Sequence, residues 1–294
     1  MKKQVFLFAL VTLFFSSLFL TSCKGDDNKN DGQDTTKTEV VVDGPQPGEI
    51  PYDFPVVKTT AKNGEYVLTP SKSLVDRAWE EENSTFIFNS SEMVAVGDKE
   101  SEVSQVDSKV MIPNSLVIPI PANQTVQKGD VVLTWWQSGS GMQRAYVVDD
   151  ADPTKPVVHY LDLDYSEDRA NEQIKENSFV KLTKEFEPGT AVAYQGEYNV
   201  EHWNVIRVEG NKILAIGLTG KMAVLEKSKC TALPVYFEAK VGDMVQVPYI
   251  GSFRDGKVLK VDENIGRVWV EVEFGGSPTE AIIAVGDITT GLTL

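Results

Sequence analysis

One phrase, a glycine turn followed by a β-forming run, occurs three times in the second half of this chain. The copies are Lys128-Gly129-Asp130-Val131-Val132, Pro188-Gly189-Thr190-Ala191-Val192 and Val241-Gly242-Asp243-Met244-Val245. A glycine followed by Asp or Thr makes a tight turn, because glycine reaches backbone angles closed to other residues and the small polar side chain bonds back to the turn. Each copy continues with a polar turn and a second strand, marked by Ala145-Tyr146-Val147-Val148, Asn204-Val205-Ile206-Arg207 and Lys257-Val258-Leu259-Lys260. They close on Asn177-Ser178-Phe179-Val180, Lys229-Cys230-Thr231-Ala232 and Gly286-Asp287-Ile288-Thr289. A repeat of roughly 50–60 residues means tandem modules, each one supersecondary unit.

The texture between these marks is that of strands. Apolar and β-branched runs occupy Val131–Trp136, Ala145–Val148, Val157–Leu161, Ala191–Tyr194, Asn204–Val208, Lys212–Gly217, Met244–Val247, Lys257–Val261, Val268–Phe274 and Glu280–Ala284. Turn signals such as Ser138-Gly139-Ser140-Gly141, Asp152-Pro153, Glu209-Gly210-Asn211, Asp255-Gly256 and Gly275-Gly276 separate them. No sustained helical period competes, and a polar stretch over Ser166–Glu176 is the one place where a short helix is expected. The chain therefore reads as all-β: tandem small five-stranded barrels over 126–186, 187–236 and 237–294. Residues 56–125 are either a degenerate fourth copy or an unrelated β subdomain. For the fourth copy, Met93-Val94-Ala95-Val96-Gly97 parallels Ile213-Leu214-Ala215-Ile216-Gly217, and Asn114-Ser115-Leu116-Val117 parallels Asn177-Ser178-Phe179-Val180.

The N-terminus carries an address. Lys2 and Lys3 precede an apolar, uncharged run from Gln4 to Leu20, and Thr21-Ser22-Cys23 follows. A basic start, an apolar stretch and small residues make a secretory signal. With its cysteine it resembles the lipobox of bacterial lipoproteins, which implies removal of 1–22 and acylation of Cys23. Several acyl chains on one residue anchor a protein stably in a membrane. Lys24-Gly25-Asp26-Asp27 is similar to the surface-export signal of Bacteroidetes lipoproteins, which implies an outer-membrane protein on the cell surface, with the periplasmic face as the alternative. Residues 23–55, rich in Asp, Lys, Asn, Gly and Thr and closed by Pro45 and Pro47, read as a disordered acidic tether.

Composition narrows the partners. Asp and Glu total 43 against 28 Lys and Arg, a formal net charge of −15, so the surface repels phosphate backbones and nucleic acid is excluded as a partner. Hydrophobic residues at 41% supply packed cores. Only Cys23 and Cys230 are present. With Cys23 acylated, no intramolecular disulfide can form, and Cys230 reads as a buried, inert thiol.

The modules resemble Tudor-type SH3-like barrels. The match rests on Lys128-Gly129-Asp130 with Val131–Trp136, Arg144-Ala145-Tyr146-Val147-Val148 and Val157–Tyr165, and on Val241-Gly242-Asp243 to Tyr249, Phe253–Val258 and Val268–Gly276. In that family an aromatic cage reads methylated lysine or arginine by cation–π attraction. The resemblance carries cage positions to Trp136, Tyr160 and Tyr165 in the first copy, with Gln143 where a further aromatic would stand. In the third copy Tyr249 matches, but Gly275 and Gly276 replace an aromatic. In the second, Gly196, Leu218 and Thr219 leave no cage.

Aromatics are nevertheless the candidate binding residues: Trp135, Trp136, Tyr160, Tyr165, Tyr198, Trp203 and Tyr249. Adjacent Trp135 and Trp136 must point to opposite faces of a strand. One fills a core, and the other packs between modules or offers a platform. Asp162 and Asp164 would share one strand face and are the candidate pair for Ca²⁺ binding or acid–base chemistry. His159 and His202 show no metal-ligand spacing, and no nucleophile elbow or phosphate loop occurs. No catalytic residue, metal or cofactor is expected. The sequence reads as a lipid-anchored, non-catalytic binding or scaffold module for a protein, peptide or glycan. The alternatives are a peptidoglycan- or polysaccharide-binding module, an envelope-assembly subunit or a carboxylate-dependent hydrolase.

Overall fold

The computed structural model describes residues 44–106 and 108–294. Cys23, the signal segment and most of the expected tether lie outside them. Four successive modules share one strand order. The first holds β1 (Tyr66–Pro70), β2 (Phe88–Ala95), β3 (Glu100–Gln105), β4 (Ser108–Pro113) and β5 (Ile118–Pro119), arranged β4-β3-β2-β1-β5. The second repeats it with β6 (Val131–Trp135), β7 (Met142–Asp149), β8 (Val157–Tyr160), β9 (Glu172–Gln173) and β10 (Val180–Lys181). The third holds β11 (Ala191–Gln195), β12 (Val200–Glu209), β13 (Lys212–Gly217), β14 (Met222–Glu226) and β15 (Cys230–Ala232). The fourth holds β16 (Met244–Tyr249), β17 (Ser252–Asp262), β18 (Arg267–Phe274) and β19 (Ser277–Ala284), and its fifth strand is reduced to a bridge between Gln246 and Thr289. All pairings are antiparallel, and the last two modules join through Glu201 and Ser252.

The glycine turn builds every module the same way. Gly129, Gly189 and Gly242 sit at φ of +96°, +91° and +94°. Each donates its N–H to the second strand, at Val147, Val205 and Val258, and those residues donate back to Asp130, Thr190 and Asp243. The polar residue locks the turn: Asp130 Oδ2 and Asp243 Oδ2 accept the N–H three positions back, while Thr190 Oγ1 donates to the Glu187 carbonyl. Just past each contact the second strand bulges, which bends it enough to curl the sheet.

The first module does the same with Gly64 at φ +83°. Its N–H bonds the Met93 carbonyl, Met93 N–H bonds Glu65, and β2 bulges after Met93. Residues 56–125 thus contain a fourth copy of the turn. The expected match of Met93–Gly97 to Ile213–Gly217 is out of register, because Met93 lies on a second strand and Ile213–Gly217 is a third strand, whereas Asn114–Val117 and Asn177–Val180 both lead into the fifth strand of their modules. Between β1 and β2 runs Ser71–Ile87, which includes the short helix α1 (Lys72–Arg77), where the other modules have a tight turn. Two further expectations are corrected. Residues over Ser166–Glu176 form turns and β9 rather than a helix. Packing begins before residue 55, since Ile50 and Phe54 are buried in the main core and the Tyr52 ring meets Phe86.

The modules pack as one unit because several strands bury both faces. Every residue of Val131–Trp135 is buried. Val132 lies in its own module's core, while Val131, Leu133 and Trp135 join a larger core that draws on all four modules.

Alanine at the turn glycines measures this design. Gly242→Ala meets open space, so only the positive φ opposes it, at about 1–2 kcal/mol. Gly189→Ala costs more, because its Cβ would lie 2.7 Å from Leu133 Cδ1. Urea unfolding midpoints should fall in that order.

Candidate functional site

One of two buried arginines, Arg144, links three modules. Arg144, on β7, is 4% exposed. Its backbone N–H and Nε reach Asp162 at 2.6 and 2.9 Å. Its two terminal nitrogens reach Asp287 at 2.8 and 2.7 Å. Asp287 lies in a 3₁₀ turn, Val285–Asp287, of the fourth module. His202, on β12 of the third, places Nε2 2.9 Å from Asp287 Oδ1, the oxygen that an Arg144 terminal nitrogen also reaches. Gly286 lets the guanidinium approach, since a Cβ there would lie 3.4 Å from it and 3.0 Å from the Val235 carbonyl. Arg144 and His202 hold the Asp287 carboxyl far below its ordinary range despite burial, and the two carboxylates raise Arg144. Nearby, Arg267 bonds the Tyr160 and Leu163 carbonyls at 2.7 and 2.9 Å.

This cluster forms the floor of a cleft with two lobes. One lobe, of about 420 Å³, has apolar walls of Phe86, Ile87, Phe88, Leu133, Met142 and Ile216. The other, of about 560 Å³, opens past Asp164, Tyr165, Pro248, Ile250 and Ile282. Arg144, Asp162, Asn204 and Gly217 line both. The insertion Ser71–Ile87 supplies part of the wall, held where Phe86 N–H bonds the Gly220 carbonyl at 2.8 Å.

Two properties of the lining are informative. Gln143 Oε1 and Asn204 Oδ1 are buried and accept no hydrogen bond. A buried amide oxygen without a donor costs about 1–3 kcal/mol, so native proteins rarely leave one empty. Two turns on the rim are also strained. Thr219 and Ile250 hold φ of +66° and +52°, each followed by glycine, where a β-branched residue is strongly disfavoured. The adjacent Leu218 and Ile250 side chains are 58% and 61% exposed. The lip is apolar and held in costly backbone, and the floor is charged.

The aromatic candidates do not converge on this cleft; Tyr165 alone lines it. Trp135 is buried between modules, its ring 5.2 Å from Tyr66. Trp136 lies against its own module with the Arg169 guanidinium 5.7 Å above it, so an internal cation occupies the face that a cage would offer. Tyr160 is buried, its hydroxyl 2.7 Å from Glu172, and burial raises its pKa. Tyr165 stands edge-on to Trp269 at 5.3 Å. Trp203 packs beside Gly217 and donates Nε1 to Glu201. Tyr249 meets Phe274 at 5.1 Å. Tyr198, 89% exposed, alone has a free ring.

The carboxylate pair also separates. Asp162 and Asp164 lie beyond β8 rather than on a strand, and Asp162 is committed to Arg144. His159 is buried, with Nδ1 3.2 Å from Asn171 Oδ1. Cys230 is partly buried, which pushes its thiol up to about 11 and leaves little thiolate. In the sequence Gln143 stands only as a gap in an aromatic set, and Asn204, Arg144 and Asp287 only as landmarks of the repeat.

Compared with known proteins, the chain matches no protein-family model, and no curated protein matches it significantly.

Asp287→Asn should lower stability by about 3–5 kcal/mol, because it leaves Arg144 buried with half its counter-charge. The sign of the pH effect follows from the depressed carboxyl. Its stabilisation is complete above the ordinary 3.8 and is lost as pH falls below it. Urea midpoints of the unaltered protein should drop through that acid range, and those of Asp287→Asn should change less.

Proposed function

We propose that this protein is a lipid-anchored envelope protein that binds an extended segment of another protein in the central cleft, without catalysis. The two partnerless amide oxygens of Gln143 and Asn204 carry the reading. A polypeptide's backbone N–H groups are the donors they lack, and its side chains fit between the apolar walls. A cationic side chain would suit the strongly acidic chain.

A glycan is disfavoured, since sugars stack on open ring faces and nearly all of the candidate rings are engaged within the protein. Hydrolysis is disfavoured: Arg144 and His202 hold Asp287 ionised, and Asp162 is paired with Arg144. The anchor rests on the N-terminal sequence, where Cys23→Ala should move the protein from the membrane fraction to the soluble one. Retained membrane association in that variant would contradict the lipid anchor.

The binding reading is tested by a photo-crosslinking residue placed at Met142 in the full chain on living cells. A discrete protein adduct is expected, absent when the residue is placed instead at exposed Lys109. Adducts of equal yield at both positions, or none at Met142, would refute it.

A further inference from the structure

A separate apolar cavity of about 330 Å³ shares no residue with the cleft. Its walls come from three modules and the segment between two of them: Ile118 and Pro119, Leu182, Phe186 and Pro188, and Arg207. Arg207 is the unusual member. Its terminal nitrogens donate to the carbonyls of Lys58 at 3.3 Å and Val117 at 2.8 Å, while its buried Nε donates to nothing.

The other charged groups on the wall are occupied. Lys181 pairs with Asp130 at 2.7 Å, and the Glu187 carboxylate accepts the N–H groups of Thr183 and Lys184. Among the described residues no carboxylate forms an ion pair with Arg207; burial lowers its pKa, and the nearby Glu209 carboxylate offsets part of that. Arg207 is half-buried, and a guanidinium partly withdrawn from water without an ion-paired carboxylate is stabilised by an anion that enters beside it.

Arginine has five N–H donors, of which the two carbonyls take two, so Nε–H and two terminal N–H groups remain, enough for a forked contact. The cavity is at the small end of ligand sites, and its lining is otherwise aliphatic, aromatic and prolyl. Phe186, at φ +59°, is held in a disfavoured backbone on that wall, with the Lys227 ammonium 4.5 Å over its ring. From this geometry we infer that the cavity binds a small amphipathic carboxylate, its oxygens on the free N–H groups of Arg207 and its apolar body against Ile118, Leu182 and Phe186.

Benzoate and its neutral isostere benzamide are suitable probes, added to the full-length protein and followed by arginine-selective nitrogen NMR. Benzoate should shift the Arg207 Nε–H resonance saturably, and benzamide should bind at least about tenfold more weakly. Arg207→Lys keeps the charge but not the fork and should weaken benzoate by a similar factor. Equal binding of benzoate and benzamide, or no saturable shift with benzoate, would overturn the assignment. Because the unaltered protein carries the comparison of probes, a variant that misfolds does not decide it.

Discussion

The structure depends on how Arg144 is kept charged inside the protein. A guanidinium with so little exposure is tolerable only if its charge and donors are met, and the residues that meet them belong to different modules. Asp162 comes from the same module, Asp287 from the fourth, and His202, from the third, shares the Asp287 Oδ1 oxygen with Arg144. Moving any of these modules away would strand a buried charge. Hydrophobic contact brings the modules together without direction, and the charged cluster fixes the arrangement in which they meet.

That arrangement explains the cleft. Barrels of this size largely fill their own interiors, and the two lobes of the cleft lie between them. The seam leaves the two lobes around Arg144 and Asp162, and the insertion Ser71–Ile87 closes one wall. Backbone strain at Thr219 and Ile250 sits on the same rim. Costly turns, unsatisfied amides and exposed apolar side chains in one place are what a site looks like when stability has been given up for recognition.

The repeat was legible because the glycine turn is a local device. Gly129, Gly189 and Gly242 carry their function in two or three adjacent residues, and strand runs near them were placed within a few residues. Gly64 was hidden because α1 and its flanks interrupt the spacing that revealed the others. The Ser166–Glu176 reading failed because polar composition says nothing about a segment pinned by one strand bridge to β8. The site was far less legible. Exposed aromatics were expected as platforms, yet alternation on a strand cannot tell solvent from a neighbouring module, and Trp135 faces Tyr66. Arg144 and Asp287 are 143 residues apart, and nothing in their local sequence marks them as partners.

Calorimetry of Arg144→Met compared with the unaltered protein tests the central claim most directly. The account predicts one cooperative transition for the unaltered protein, with calorimetric and van't Hoff enthalpies equal, and a broadened or divided transition at lower temperature for Arg144→Met. A single transition with an unchanged midpoint in that variant would show that the modules are held together without the arginine, and would contradict it.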